Sequence, residues 1–480
     1  MIRPSGRLHD LDLALFRAVA RWHSPALDQV LPPLSRLADH GVLWGAVAAG
    51  LAAPRGRSRR SAVRGLISLT IASGVTNTVL KAAAGRRRPA LDAVLAARRL
   101  RTQPRTSSFP SGHAASAAAF TVGASLELGW PGLPLLALGS AVAFSRIYTG
   151  VHYPGDVAAG VAVGTAVSLA TLRAWPVHPE RPATVRGELT LPPRPAGAGV
   201  TVVVNPASGP DDDTADRLRQ LLPDARLVAV AEGEDLADVL YAAAGDAEVL
   251  GIAGGDGSVG CAMQVAAGRG LPLAVVPAGT YNHFARDLGI SSAGDTARAL
   301  ASGQAGHVDV GCVGDRPFVN TVSIGGYPEM VVLRDRLAGE LGTLPAAAVA
   351  AIRTLATARP HELLIDGRQR RVWMLFCGNC TYQPPGLAPV WRERLDDGLL
   401  DVRLISAERP LGRTRFVASL VAGRLTRSRV YERWTAERVE VRAAAAPFRF
   451  AWDGETSEQP TRHLSVTKGG QVTVLGPVAG

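Results

Sequence analysis

Five apolar stretches fall between residues 42 and 174, at about 42–54, 62–80, 111–128, 132–149 and 154–174. A bilayer-spanning helix takes roughly 20 mainly apolar residues, and all but the first stretch approach that length. So few charges over so much apolar chain predict an all-α membrane helical bundle. The competing reading, buried helices of a soluble bundle, leaves too little polar surface to keep five such helices in water. Ahead of them, residues 8–38 form two amphipathic stretches, too charged to span a bilayer and suited to lie along its interface. Residues Met1 to Asp10 show no signal-peptide core.

The texture changes after residue 175. Six prolines and no sustained apolar period mark 176–198 as a linker. From Val200 the pattern is strand, helix, strand, helix, strand, which predicts a parallel α/β lobe over 199–308. Beyond it, 309–480 reads as a β-rich, mostly antiparallel lobe, with helical interludes near 343–358 and 410–424. Residues 1–175 are the membrane-embedded part.

The net charge of +11 calls for an acidic partner. Aromatic residues are only 5% and interleave with no basic surface, which argues against nucleic acid. The four cysteines, Cys261, Cys312, Cys377 and Cys380, all lie in the second half and suit a reducing compartment. The Cys377-x-x-Cys380 spacing has no second pair, so the structural reading is preferred over zinc or redox chemistry.

Three polar pieces sit at ends of the apolar stretches: Lys81-x6-Arg88-Pro89, Pro110-Ser111-Gly112-His113, and Ser145-Arg146-x5-His152-x3-Asp156. Followed as alternating spans, all three reach the same membrane face. Lys81, Arg88 and Arg146 suit the non-bridging oxygens of a phosphate. Ser111, Gly112 and the amides around them open a helix, a natural anion site. His152 is placed to attack phosphorus. Asp156 is placed to orient His152, and His113 to protonate the leaving alkoxide and then activate water. The cationic side chains stabilise the developing charge, so no metal cofactor is called for. These three pieces resemble the type 2 phosphatidic acid phosphatase family, over roughly residues 10–173. The resemblance implies hydrolysis of a lipid phosphate, such as phosphatidic acid, phosphatidylglycerol phosphate or a polyprenyl diphosphate. The motifs read the phosphate and do not choose among the lipids.

In the second half, Gly254-Gly255-Asp256-Gly257-Ser258 links a strand to a helix, a turn that lets backbone amides approach phosphate. Asn205-Pro206-Ala207-Ser208-Gly209 precedes it, and the run from Pro277 to Gly289, with Thr280, follows. In this order they resemble the diacylglycerol kinase catalytic-domain family, over about residues 199–475. The resemblance implies ATP bound by Asn205, Ser208, Gly255, Asp256, Gly257, Ser258 and Thr280, with Mg²⁺, and a lipid alcohol as acceptor. Glu455 of Asp453-Gly454-Glu455 is then the general base, although Asp453-Gly454 alone reads as a hairpin turn. Asp397-Gly398-Leu399-Leu400-Asp401 resembles the family's structural metal loop, with Asp397 and Asp401 as ligands. A plain turn before a strand competes with that reading. Residues 381–389 depart from the glycine-rich segment expected there.

Membrane lipids are thus the expected substrates of an integral membrane protein, and nothing in the motifs fixes an oligomeric state. One helix separates the third phosphatase motif from the linker, so the two sites are expected on opposite membrane faces. ATP places the kinase in the cytosol and the phosphatase site outside. Five arginines in 55–64 agree with that orientation. Eight basic residues against one acid in 81–105, on the outer side, oppose it. The competing function is a lipid kinase whose first half is mainly an anchor. A soluble bromide-oxidising enzyme shares the first set of motifs, but the apolar spans argue against it.

Overall fold

The computed structural model describes residues 6–476, apart from 23, 54–56, 91–93, 96–97, 100–105, 178–181, 186–188, 209–212, 280–281, 342–345, 347–348, 351–352, 355, 387–390 and 422–423. The chain divides into two compact units, Met1–His178 and Pro179–Gly480.

The first unit is helical: α1 Gly6–Arg21, α2 Pro25–Leu37, α3 Val42–Ala52, α4 Arg57–Gly74, α5 Gly112–Leu128, α6 Leu133–Tyr148 and α7 Pro154–Ala174. Helix α4 continues through a wider-wound stretch, Val75–Leu80, into Lys81–Ala84, and stops at Gly85 in the left-handed conformation. Among the described residues two helices, Arg57–Ala84 and Pro154–Arg173, are long and apolar enough to cross a membrane. The 111–128 and 132–149 stretches become helices of 17 and 16 residues, shorter than expected for spans.

Helix α5 is central, with an alanine-rich run (Ala114, Ala115, Ala117, Ala118, Ala119) fully enclosed. Helix α7 meets it through glycines. A Cβ on Gly160 would lie 2.4 Å from the Ser111 carbonyl, and one on Gly164 would lie 2.3 Å from that of Ala115. Small residues four apart let two backbones touch, the usual solution where lipid supplies no hydrophobic drive. At the far end of α5, Glu127 is buried and held by Arg64 at 2.6 Å and Arg60 at 3.2 Å, while Arg57 Nε donates to its carbonyl. Three of the five arginines in 55–64 are therefore joined to Glu127, which weakens their use as an orientation signal.

The second unit is built on one continuous sheet. Strands β1 Leu189–Thr190, β2 Val200–Val204, β3 Arg226–Ala229, β4 Val249–Gly254, β5 Leu273–Pro277 and β6 Gln304–Val313 come first in the chain. The parallel part runs β3-β2-β4-β5, as the alternating pattern predicts. The long last strand, His463–Leu475, pairs parallel to β5 through Val474 and antiparallel to β6 and to Arg438–Ala443. Two boundaries shift as a result. Strand β6 runs through 308/309, and the chain's end returns to the nucleotide lobe. Nor is 176–198 a free linker: β1 pairs with Gln304–Ala305, and the Ala183 N–H donates to Asp287 O at 2.7 Å.

Candidate active sites

The three sequence pieces of the first unit converge at one end of the bundle. The backbone N–H groups of Val151 and His152 both donate to Arg146 O at 3.2 Å, folding the α6–α7 loop back over the last turn of α6. Asp156, in the first turn of α7, accepts the Tyr153 N–H at 2.9 Å, so the same carboxylate caps the helix and faces the site. The Ser111 N–H donates to Asp156 O at 2.9 Å and ties the start of α5 to the start of α7. Ser111 caps α5 by accepting from Ala114 N. A Cβ on Gly112 would lie 3.3 Å from Lys81 Nζ, so glycine there admits the ammonium to the helix start.

His152 is enclosed. Its Nε2 lies 3.3 Å from Arg88 Nη1, which also donates to Val151 O at 2.8 Å. The expected direct contact with Asp156 is 3.7 Å, too long for a hydrogen bond. Ser108 intervenes: its Oγ donates to Asp156 Oδ2 at 2.5 Å and lies 3.4 Å from His152 Nδ1. An Nδ1–H pointing to Ser108 leaves the Nε2 lone pair beside Arg88. The other Asp156 oxygen receives Arg86 at 2.7 Å, and Arg86 also binds Asp12 of α1 at 2.6 Å. Asp12 in turn accepts the Gly155 N–H at 2.7 Å. The amphipathic α1 therefore contributes to the site's framework as well as to the expected interface.

His113 Nε2 is 2.6 Å from Asp39 Oδ1, and Arg146 Nη1 is 3.9 Å from the same oxygen. Arg146 Nη1 also donates to Ser35 Oγ at 2.6 Å, while its buried Nε has no partner among the described residues. Sequence reasoning missed Asp39, Ser108, Arg86 and Asp12. None is a named motif position, although Arg86 falls in the x6 spacer of the first motif and Ser108 lies two residues before the second.

In the second unit, β4 delivers Gly254-Gly255 to the start of the helix Asp256–Arg269. A Cβ on Gly279 would lie 2.4 Å from Gly255 Cα, so two glycine backbones pack face to face beneath the turn. Asp256 accepts the N–H groups of His283 at 3.0 Å and Phe284 at 2.9 Å. Asn205 Nδ2 donates to Ser258 Oγ at 3.0 Å, and Asn205 Oδ1 accepts from Ala207 N at 3.1 Å. Ser208 ends a single turn, Pro206–Ser208, directly after β2. The structure thus joins the Asn205 and Gly255 motifs. Thr280 lies outside the described residues.

Asp453 and Gly454 form the tight turn between Phe450–Trp452 and Glu455–Thr456, with φ of 44° and 95°. This hairpin also reaches the nucleotide turn: a Cβ on Gly257 would lie 2.8 Å from Glu455 Oε1. Asp453 accepts N–H groups from Val319, Asn320 and Thr321, at 2.6, 2.8 and 2.9 Å. Burial pushes its carboxyl up to about 7 against those bonds, with nearby Asp256 adding to the rise. Arg392, unremarked in the sequence, is fully enclosed and joins Asp287 at 2.7 Å to Asn320 Oδ1 at 2.9 Å. It fastens the nucleotide lobe to the β-rich lobe.

The two carboxylates of the expected metal loop have different surroundings. Asp401 is buried between Arg403 and Arg433, each at 2.7 Å. Asp397 spends its oxygens on the Thr381 and Leu399 N–H groups at 2.8 and 3.0 Å. Its acidic neighbour is Asp309, grouped with Asp397 and Cys380. Asp309 is already neutralised by Lys468 at 3.0 Å. Asp401 is thus paired with two guanidinium groups, while Asp397 shares a cluster of possible ligand atoms with Asp309 and Cys380.

Comparison with known proteins gives matches for each part. The PAP2 superfamily model matches residues 62–179, the diacylglycerol kinase catalytic domain 199–313, and the YegS C-terminal NAD kinase beta sandwich-like domain 333–475. A diacylglycerol kinase of Mycobacterium tuberculosis is 28% identical over 228 residues, covering 44% of this chain and 74% of that protein. Decaprenylphosphoryl-5-phosphoribose phosphatase of the same organism is 52% identical over 66 residues, 13% of this chain and 35% of that protein. The crystal structure of a diacylglycerol kinase from Bacillus anthracis is 18% identical with a TM-score of 0.41, covering 58% of this chain and 96% of that one. The chain is thus a fused enzyme, in which a phosphatase domain of the PAP2 superfamily precedes a diacylglycerol kinase catalytic domain with its YegS-type C-terminal domain.

Proposed function

We propose that the first unit hydrolyses a lipid phosphate through a phosphohistidine and that the second phosphorylates a lipid alcohol with ATP. In the first reaction His152 Nε2 attacks phosphorus as the bond to the lipid oxygen breaks. Lys81, Arg88 and Arg146 hold the non-bridging oxygens, and His113 gives its proton to the leaving alkoxide. Water then attacks phosphorus, His113 takes its proton, and the P–N bond breaks. Ser108 and Asp156 hold the ring and balance its charge. The observation that carries this reading is Arg146 Nε, a buried donor with no partner among the described residues, on the side chain whose Nη1 shares Asp39 Oδ1 with His113. A phosphate oxygen is the group that satisfies it. Likeness to a polyprenyl-phosphosugar phosphatase supports a phosphate ester on a long lipid.

In the second reaction the turn at Gly255 and Gly257, with Asn205, Ser208, Ser258 and Thr280, binds the ATP phosphates. Mg²⁺, when bound with the ATP phosphates, would supply positive charge to the transferred group. Glu455 takes the proton of the lipid hydroxyl, and likeness to a diacylglycerol kinase supports a diacylglycerol-like acceptor. The helices cross the membrane more than once, with the phosphatase site outward and the kinase in the cytosol.

Brief reaction of the detergent-solubilised chain with ³²P-labelled phosphatidic acid, or with a labelled polyprenyl phosphate, followed by a denaturing quench, tests the phosphatase reading. Acid-labile, alkali-stable label at His152 is the expected result. Turnover of either lipid with label at another residue contradicts it.

A further inference from the structure

The surface of the second unit between residues 409 and 429 has a composition that ordinary soluble surfaces avoid. The segment holds six arginines, Arg409, Arg413, Arg415, Arg424, Arg427 and Arg429, and no acidic residue. It follows the strand Leu400–Ser406 and folds as a turn, a helix Gly412–Val421 and a short turn Leu425–Arg427. Its inner face is well anchored. Phe416, Leu425 and Val430 are buried with Ile405 and Tyr431. Arg413 donates to Ala356 O at 2.6 Å and to Ala358 O, so this one arginine is spent on the framework.

The outer face is the opposite. The other five arginines are exposed, and none joins an ion pair among the described residues. Leu411, between Arg409 and Arg413, is 76% exposed and sits at a φ of 54°. That left-handed conformation is disfavoured for a leucine and persists only where the surroundings impose it. Val417, farther along the helix, is exposed as well. Mixed-sign charge keeps soluble surfaces inert. Here five exposed arginines share a short segment with two exposed apolar side chains, Leu411 and Val417.

We propose that this crest docks the kinase unit on a bilayer rich in anionic lipid. The arginines meet the headgroup phosphates, with their stems lying along the apolar boundary and their heads in water. Leu411 and Val417 enter the acyl region. The two apolar side chains favour a bilayer over nucleic acid, which would meet the charge but bury no leucine. This proposal rests on the reading of the second unit as a lipid kinase, whose substrate stays in the membrane.

The test uses the full chain in nanodiscs made of phosphatidylcholine alone or with phosphatidylglycerol. An environment-sensitive NBD fluorophore is placed at position 411 through Leu411→Cys, with Cys261→Ser and Cys312→Ser to confine labelling. Docking predicts a blue-shifted emission at least twofold brighter in the phosphatidylglycerol discs, lost in high salt and in Arg415→Glu/Arg424→Glu/Arg427→Glu. In that triple variant the KM for long-chain diacylglycerol rises roughly tenfold or more, while turnover of a short-chain soluble diacylglycerol is unchanged. Equal emission in both discs overturns the proposal, as does a shift driven by RNA in phosphatidylcholine discs. An NBD shift with no lipid phosphorylation sustains the docking surface and overturns the kinase reading instead.

Discussion

His113 is paired with Asp39, a carboxylate 74 residues away in sequence that no motif contains. The carboxylate 2.6 Å from Nε2 holds the ring in place and offsets the positive charge it carries as a general acid. Asp39→Asn should therefore lower phosphatase kcat on a lipid phosphate by roughly 10²-fold, with KM nearly unchanged. First-turnover release of p-nitrophenolate from p-nitrophenyl phosphate, whose leaving group needs no proton, should be largely spared, and an equal loss of first-turnover rate on both substrates would contradict the role. Ser108 offers a second check, because it carries the link between His152 and Asp156. Ser108→Ala should lower kcat on both substrates alike, since nucleophile positioning matters whatever group departs. A loss confined to lipid phosphates would argue against it. The histidines, arginines and Asp156 were legible in the sequence because each motif fixes its residues by short covalent spacing. Asp39, Asp12, Arg86 and Arg392 were not, because each gains its role from a partner about 70 residues or more away, and local pattern carries no such pairing.

Among the elements, the helices of the first unit stand within a few residues of the apolar stretches, since burial and lipid contact both follow local hydropathy. Their closure depends on details that hydropathy does not carry. The Gly160 and Gly164 contacts set how closely α7 approaches α5, and the Arg64–Glu127 pair closes the bundle at the end away from the catalytic groups. Both partners of that pair are enclosed, so removing one leaves an uncompensated charge. Glu127→Ala should cost about 3–5 kcal/mol, read as a lower midpoint for thermal unfolding in detergent. A double variant, Arg64→Met with Glu127→Leu, should recover most of that loss. If the double variant is no better than the single one, the pair contributes net stability and the account of it is wrong. In the second unit, strand identity was legible but pairing was not. The residues at 189–190 look like linker because two residues carry no period, and only their partners in β6 make them a strand.

At the scale of the whole molecule, the chain carries two phosphate-handling sites in units with separate cores. One site gathers cations around histidines at a helical end. The other presents glycine backbone at a strand-to-helix turn, closed by a glutamate from a distant hairpin. Nothing in their chemistry requires a shared group, so each should fail alone. The most direct measurement takes the full chain, purified as wild type, His152→Ala and Asp256→Ala, and follows two readouts in the same preparation. One is release of inorganic phosphate from a lipid phosphate, and the other is transfer of ³²P from [γ-³²P]ATP to diacylglycerol. The account predicts that His152→Ala abolishes phosphate release and keeps phosphoryl transfer, and that Asp256→Ala does the reverse. Loss of both activities in either well-folded variant would contradict it.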